Sequence, residues 1–160
     1  MMTAFAPRTH LPALALAVVL GSAAAGPPAP HHTVVPADAV QWGAAPPSLP
    51  AGAQAAVLFG NPALPGPFVL RLKFPAGYSV PPHRHSKDEP VTVVSGRLLI
   101  GAGSKLDRAA TTALAPAGFV YLPAGMAHYA IADGETVVQI NGVGPFDVTY
   151  LNPHDDPRKQ

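Results

Sequence analysis

The stretch Gly77-Tyr78-Ser79-Val80-Pro81-Pro82-His83-Arg84-His85-Ser86-Lys87-Asp88-Glu89-Pro90-Val91-Thr92-Val93-Val94-Ser95-Gly96 decides how the chain is read. His83 and His85 stand two apart, and Glu89 follows four later. In a strand, side chains i and i+2 share a face, with Cα atoms about 6.6 Å apart at a rise of about 3.3 Å per residue. Two imidazoles so placed can converge on one ion at roughly 2.1 Å each, while Arg84 points to the other face. Residues 86–88 supply a polar turn, and Glu89 heads the next apolar run, 91–94. Its carboxylate returns to the histidines if the two strands pair antiparallel. Asp88 is a competitor for that place, because Pro90 removes a ladder donor and is expected to bulge the strand and re-aim Glu89.

A second cluster, Gly118-Phe119-Val120-Tyr121-Leu122-Pro123-Ala124-Gly125-Met126-Ala127-His128, puts a strand, a sharp Pro-x-Gly turn and a histidine in order. His128 heads a further strand and can bring a third nitrogen to the ion from a distant part of the chain. Around these clusters the sequence is a series of short apolar runs separated by Gly, Pro, Asn and Asp, with no long 3.6-residue period, which is the punctuation of an all-β domain. Runs are expected at 55–59, 68–74, 91–94, 97–100, 111–114, 119–122, 127–131, 136–140 and 147–151. Leu70, Leu72 and Phe74 alternate with Arg71 and Lys73, so one face of that strand meets a core and the other meets water. Gly96 reads as the turn of a tight hairpin. Residues 101–108 form a polar loop expected to help shape a pocket; Phe68, Tyr121, Met126 and Tyr129 can line it, although ordinary core is the favoured reading for each. With this many short strands, closure into a barrel or a double-sheet jelly roll hides the sheet edges.

Residues 1–25 carry a short basic region with Arg8 and His10, an apolar stretch at 11–20 and Ala23-Ala24-Ala25 before Gly26, the layout of a secretory signal peptide. Cleavage there would leave no stable membrane anchor and would make the mature protein periplasmic or secreted. Such a cut removes Arg8 alone among the charged residues, taking ten Lys and Arg to nine against nine Asp and Glu. A neutral chain without a basic patch does not point to nucleic acid as a partner. The chain has no cysteine, so any metal must be held by nitrogen and oxygen. Residues 26–52, rich in Pro, Ala and Gly, read as an arm or linker, with His31-His32 as a solvated pair and Trp42 and Leu49 packing on the outside of the domain or on a second subunit. Residues 53–151 form the domain, and residues 152–160, with His154, form a polar tail.

The first cluster, Gly-x5-His-x-His-x3-Glu-x6-Gly, and the second, Pro-x-Gly-x2-His, resemble the two motifs of the cupin superfamily in order and spacing. The resemblance covers residues 53–151 and extends, in the closing segment 142–158, to exported single-domain bacterial cupins. It implies a cupin double-stranded β-helix, a jelly-roll barrel carrying an N-terminal Pro/Ala-rich arm, with His83, His85, Glu89 and His128 as metal ligands. Gly118 stands one residue nearer its proline than in the usual pattern, and Ala132 occupies a position often held by asparagine. The resemblance also implies that the chain can form a homodimer.

Three neutral imidazoles and one carboxylate around one divalent transition metal ion per chain leave a net charge of about +1 and an open coordination position. The ion can be Fe, Mn, Ni, Cu or Zn, since the donor set does not select among them. A redox-active ion permits oxygen chemistry on a small organic or sugar-like substrate, with Glu89 serving as base as well as ligand. The expectation is therefore a metal-dependent oxidoreductase of dioxygenase type. A metal- or ligand-capturing module without turnover, and a redox-silent isomerase or lyase, are the alternatives.

Overall fold

The computed structural model describes residues 32–160. The expected signal peptide at 1–25, the first part of the arm and His31 lie outside the described residues. Eleven strands follow in chain order: β1 (Gly43–Ala44), β2 (Gln54–Phe59), β3 (Gly66–Phe74), β4 (Ser79–Arg84), β5 (Glu89–Ser95), β6 (Leu98–Ala102), β7 (Thr112–Leu114), β8 (Phe119–Leu122), β9 (His128–Ala132), β10 (Thr136–Gly144) and β11 (Thr149–Tyr150). They form two antiparallel sheets. One has the order β1-β2-β3-β10-β5-β8 and the other β11-β4-β9-β6-β7.

Alternation in the long strands decides what lies between the sheets. Phe68, Leu70, Leu72 and Phe74 of β3 are buried, as are Val91 and Val93 of β5 and Val138 and Ile140 of β10. They meet Val80, Leu98, Ala132 and Tyr150 from the other sheet in one core. Burying a branched or aromatic side chain of this kind contributes roughly 1.5–3 kcal/mol, so this inner face holds the barrel together. The outer face of β9 carries Tyr129 and Ile131, both buried. Tyr129 donates from its hydroxyl to the carbonyl of Asp107 at 2.8 Å, which fastens the segment after β6 over the outside of the sheet.

That contact corrects one expectation: the segment after β6 covers an outer face and does not line the cavity. Two further corrections concern the connections. β5 and β6 do not make a hairpin, because β5 lies between β10 and β8 while β6 lies between β9 and β7. Gly96 takes the positive φ expected of it, +78°, but as the corner where the chain leaves one sheet for the other. A Cβ there would stand 2.2 Å from the Glu135 carbonyl oxygen. Next to it the buried Thr136 hydroxyl accepts from Arg97 N–H at 3.1 Å and lies 3.0 Å from Arg97 O, pinning the corner. Likewise β4 and β5 do not pair with each other, since β4 joins β9 and β11.

Pro90 causes no bulge. It stands opposite Tyr121 in an unbroken β5–β8 register, one residue beyond Val91, where the β10 pairing begins. The irregularity in β5 is at Val94, which the β10 register skips.

The sheet begins ahead of residue 53. β1 pairs with β2, Gly43 opposite Ala55, and the next residues cross the end of the barrel. Tyr78 donates to Pro50 O at 2.6 Å, Tyr150 donates to Ser48 O at 2.7 Å, and Ala45 N–H donates to Ala53 O at 3.3 Å. Trp42 lies on the outer face with Lys73 Nζ 4.4 Å from its ring centroid, whereas Leu49 packs on the core and lines the cavity. The last residues form two short 3-10 turns, Pro153–Asp155 and Pro157–Lys159. Within them the buried Asp156 pairs with Arg158 at 2.7 Å, and His154 is exposed.

Candidate metal centre

His83, His85, Glu89 and His128 converge on the inner wall of the barrel, and all four are buried. The local chain explains each position. His83 is on β4 and faces inward opposite His128, its register partner on β9. Arg84 between the two histidines is exposed, as the strand period requires, and His85 lies just past the strand end. Glu89 opens β5 on the opposite sheet. Its carboxylate therefore reaches the imidazoles across the interior, not from a neighbouring strand as the sequence suggested. Asp88 is exposed and accepts from Ala124 N–H at 2.9 Å, outside the group.

Each imidazole is oriented in the same manner. His83 Nδ1 is 2.7 Å from Pro81 O, His128 Nδ1 is 3.0 Å from Met126 O, and His85 Nδ1 is bonded to Asp147 O. A ring nitrogen facing a carbonyl must carry the proton, so Nδ1–H donates in all three and Nε2 is left with a free lone pair. Backbone carbonyls that set the tautomer in this way are the usual outer support of metal-bound histidines. Asp147 is itself anchored, accepting from Ser86 N–H at 2.9 Å and from the Ser86 hydroxyl. Phe146 stacks on the His85 ring with centroids 4.4 Å apart and planes 14° apart.

The electrostatics follow from this crowding. Burial, with His128 and His85 beside it, lowers the His83 pKa to about 3, so His83 is neutral. Burial pushes the Glu89 carboxyl up, but the His128 and His85 nitrogens outweigh it and bring the value down to about 2. For His85, burial works against the proton, yet Glu89 and Asp147 together hold the pKa above its ordinary value. His85 Nε2 and His128 Nε2 each lie 3.1 Å from Glu89 Oε2. The buried His85 Nε2 nevertheless has no hydrogen-bond partner among the described residues.

That orphaned nitrogen is the test of whether an ion fits. Buried polar groups without partners are rare, and a divalent ion among these atoms would satisfy it. The four ligand atoms all lie within 4.8 Å of one another. Two donors on a common ion at roughly 2.1 Å each stand at most about 4.2 Å apart, so shifts of a few tenths of an ångström close the group. Neutral nitrogens and one carboxylate suit a transition ion. The residues present fit the group.

A cavity of about 550 Å³ opens from this cluster between the sheets. Its walls are apolar side chains of both sheets, and residues 44–49 and 61–63 frame it at one end. Phe68 and Tyr129, for which ordinary core is the favoured reading over pocket lining, are buried away from the cavity. Phe68 packs on Phe146 at 5.4 Å and Tyr129 lies under the outer segment. Tyr121 and Met126 are on the surface. Sequence reasoning missed Phe146, Val148 and the arm residues 44–49, none of which belongs to a motif.

Residues 33–156 match the family described as "Domain of unknown function (DUF4437)". The chain is a DUF4437 protein. No curated protein matches it. Among solved structures, this DUF4437 chain is similar to the polyketide cyclase RemF from Streptomyces resistomycificus, at 16% identity and a TM-score of 0.62 over 81% of this chain and 92% of that one. A proposed acetylacetone dioxygenase from Methylibium petroleiphilum is similar at 20% identity and a TM-score of 0.59, over 79% and 85% of the two chains. A cupin 2 domain-containing protein from Halorhodospira halophila aligns at 20% identity and a TM-score of 0.54, over 66% and 74%. The DUF4437 chain thus has the cupin fold expected from its two motifs.

Proposed function

We propose that the protein is an exported, metal-dependent oxidoreductase of dioxygenase type acting on a small organic molecule. The observation that carries this reading is the buried cluster of His83, His85, Glu89 and His128 at the wall of a cavity large enough for such a molecule. At about 550 Å³ it falls within the roughly 300–1,000 Å³ of small-molecule sites. A redox-active ion on these four side chains supplies electron transfer between substrate and dioxygen at an open coordination position. The protein's own share is to hold the three Nε2 lone pairs inward and to keep Glu89 ionised. The ionised carboxylate can accept a hydrogen bond from a weakly acidic substrate group brought against it. The apolar walls exclude water from the reacting end. In such a reaction O2 takes four electrons from the substrate and both of its atoms enter the organic products, so no external reductant is consumed. The name of the Methylibium relative agrees with this class, and the leader-like residues 1–25 support export.

Oxygen uptake by the Fe-, Mn-, Ni- or Cu-loaded protein over a panel of catechols, flavonols and diketones tests the reading. Labelled O2 should deliver both atoms to product, and silence with every metal across the panel would remove it. RemF, named a cyclase, shares the fold over most of both chains and favours a second reading, redox-silent Lewis-acid chemistry. Full turnover by zinc-loaded protein without oxygen would select that one.

A further inference from the structure

The composition of the cavity wall limits what can enter it. Leu70, Leu72, Leu122, Val138 and Ile140 face it from the six-stranded sheet, with Val80, Leu98 and Ala130 opposite. Among the described residues no lysine or arginine lines it, and Glu89 is its sole acid. Apart from the four ligand residues, polar side chains among the described residues come from Ser48 and Asn61 alone, on the segments 44–49 and 61–63. The four ligand side chains are the one cluster of titratable groups in the described wall, and beside it Phe146, stacked on His85, presents an aromatic ring to the cavity.

We infer that the molecule taken by this cavity is a planar, mostly apolar compound with a single weakly acidic oxygen head, a phenol or an enol, and that dianions and polyols are refused. This rests on the reading above that the four side chains hold a divalent ion. A divalent ion with one carboxylate ligand leaves one positive charge, which a single oxyanion neutralises. A second anionic group further along the molecule would meet a mostly apolar wall with no lysine or arginine among the described residues to receive it. Each sugar hydroxyl placed against the same wall loses its water partners without replacement, weakening binding roughly ten-fold per group. A conjugated head, by contrast, can lie against the Phe146 ring in an offset or edge-on arrangement.

The test is calorimetric binding to the full chain, zinc-loaded and without oxygen, of three probes: a naphthol, the same naphthol bearing a sulfonate at its far end, and galacturonate. The naphthol should bind at least ten-fold more tightly than either of the others and lose at least ten-fold when the zinc is removed. Equal or tighter binding of the sulfonate or of galacturonate overturns the inference, as does failure of the naphthol to bind. Zinc without oxygen performs no oxygen chemistry, so this order of affinities is independent of the reaction. Absent oxygen uptake with the order intact would sink the dioxygenase reading alone, whereas a preference for galacturonate would sink the ligand class alone.

Discussion

The floor of the cavity and the segment crossing the end of the barrel are held by opposite arrangements of the same kinds of group. At the floor, side chains converge while backbone carbonyls of Pro81, Met126 and Asp147 hold them from behind. At residues 43–50, backbone carbonyls are the held groups, and the barrel reaches out to them with the hydroxyls of Tyr78 and Tyr150. A metal centre demands particular residue types at particular positions, because only certain side chains bring a lone pair to the ion. A carbonyl is available from every residue, so the crossing segment can be almost any sequence that follows the same backbone path. The first arrangement leaves a spacing that can be read, and the second leaves none.

The largest effect that would break this contrast is at the floor. His128→Ala removes the nitrogen supplied by a remote part of the chain, and metal affinity measured by competition with a chelator should fall more than roughly 100-fold, since loss of supporting residues alone costs about 10- to 100-fold. Unchanged uptake would mean that the four side chains do not act together.

Acid should dissolve the floor before the crossing segment. Metal affinity should drop as pH falls, because the raised pKa of His85 makes the proton a competitor at Nε2. In the metal-free protein, Glu89 at about 2 is depressed, so its stabilisation is present above the ordinary carboxylate range and lost as pH falls towards 2. His83 at about 3 acts in the same direction, because the unfolded chain takes up the proton near its ordinary 6.5 first, and its large shift outweighs the raised His85, which gains stability as pH falls. Chemical denaturation of the metal-free chain between pH 7 and 3 should therefore show stability declining on acidification. A flat profile would contradict the buried geometry.

A smaller effect belongs to the crossing segment. Tyr150→Phe deletes the bond to Ser48 O and should lower stability by about 1 kcal/mol. A ligand held in the cavity should also leave faster, while metal affinity stays within a factor of about two. The hydroxyl is protonated over the whole working range, its pKa raised to about 12 by burial and then by Asp156, so the effect should be independent of pH between 6 and 8. Smallest of all, Trp42→Ala removes the ring beneath Lys73 and should cost about 0.5–1 kcal/mol. Sizing of the same variant tests the proposed homodimer, which a smaller hydrodynamic size after the substitution would place at this ring.

Legibility followed the range over which each feature is decided. The buried face of β3 was readable from Leu70, Leu72 and Phe74, because alternation is a property of one strand. The partner of β5 was not. Val91 to Val94 followed by Ser95-Gly96 is as consistent with a hairpin as with a corner, and the choice rests on the Thr136 hydroxyl, forty residues away, and on the room that Gly96 alone leaves beside the Glu135 carbonyl. Phe146 escaped notice for a similar reason: nothing around it in the chain marks it as the cover of His85.

From the amino acids alone come the donor set of His83, His85, Glu89 and His128, the all-β character and the absence of any thiolate, because ligand chemistry and strand period are written at short range. Tertiary structure decided that Glu89 approaches from the opposite sheet, that the Pro-rich residues 44–49 belong to the cavity, and that the four ligand side chains sit in a mostly apolar wall. Those outcomes depend on which strands become neighbours, and that is chosen by the burial and hydrogen bonding of the whole barrel at once.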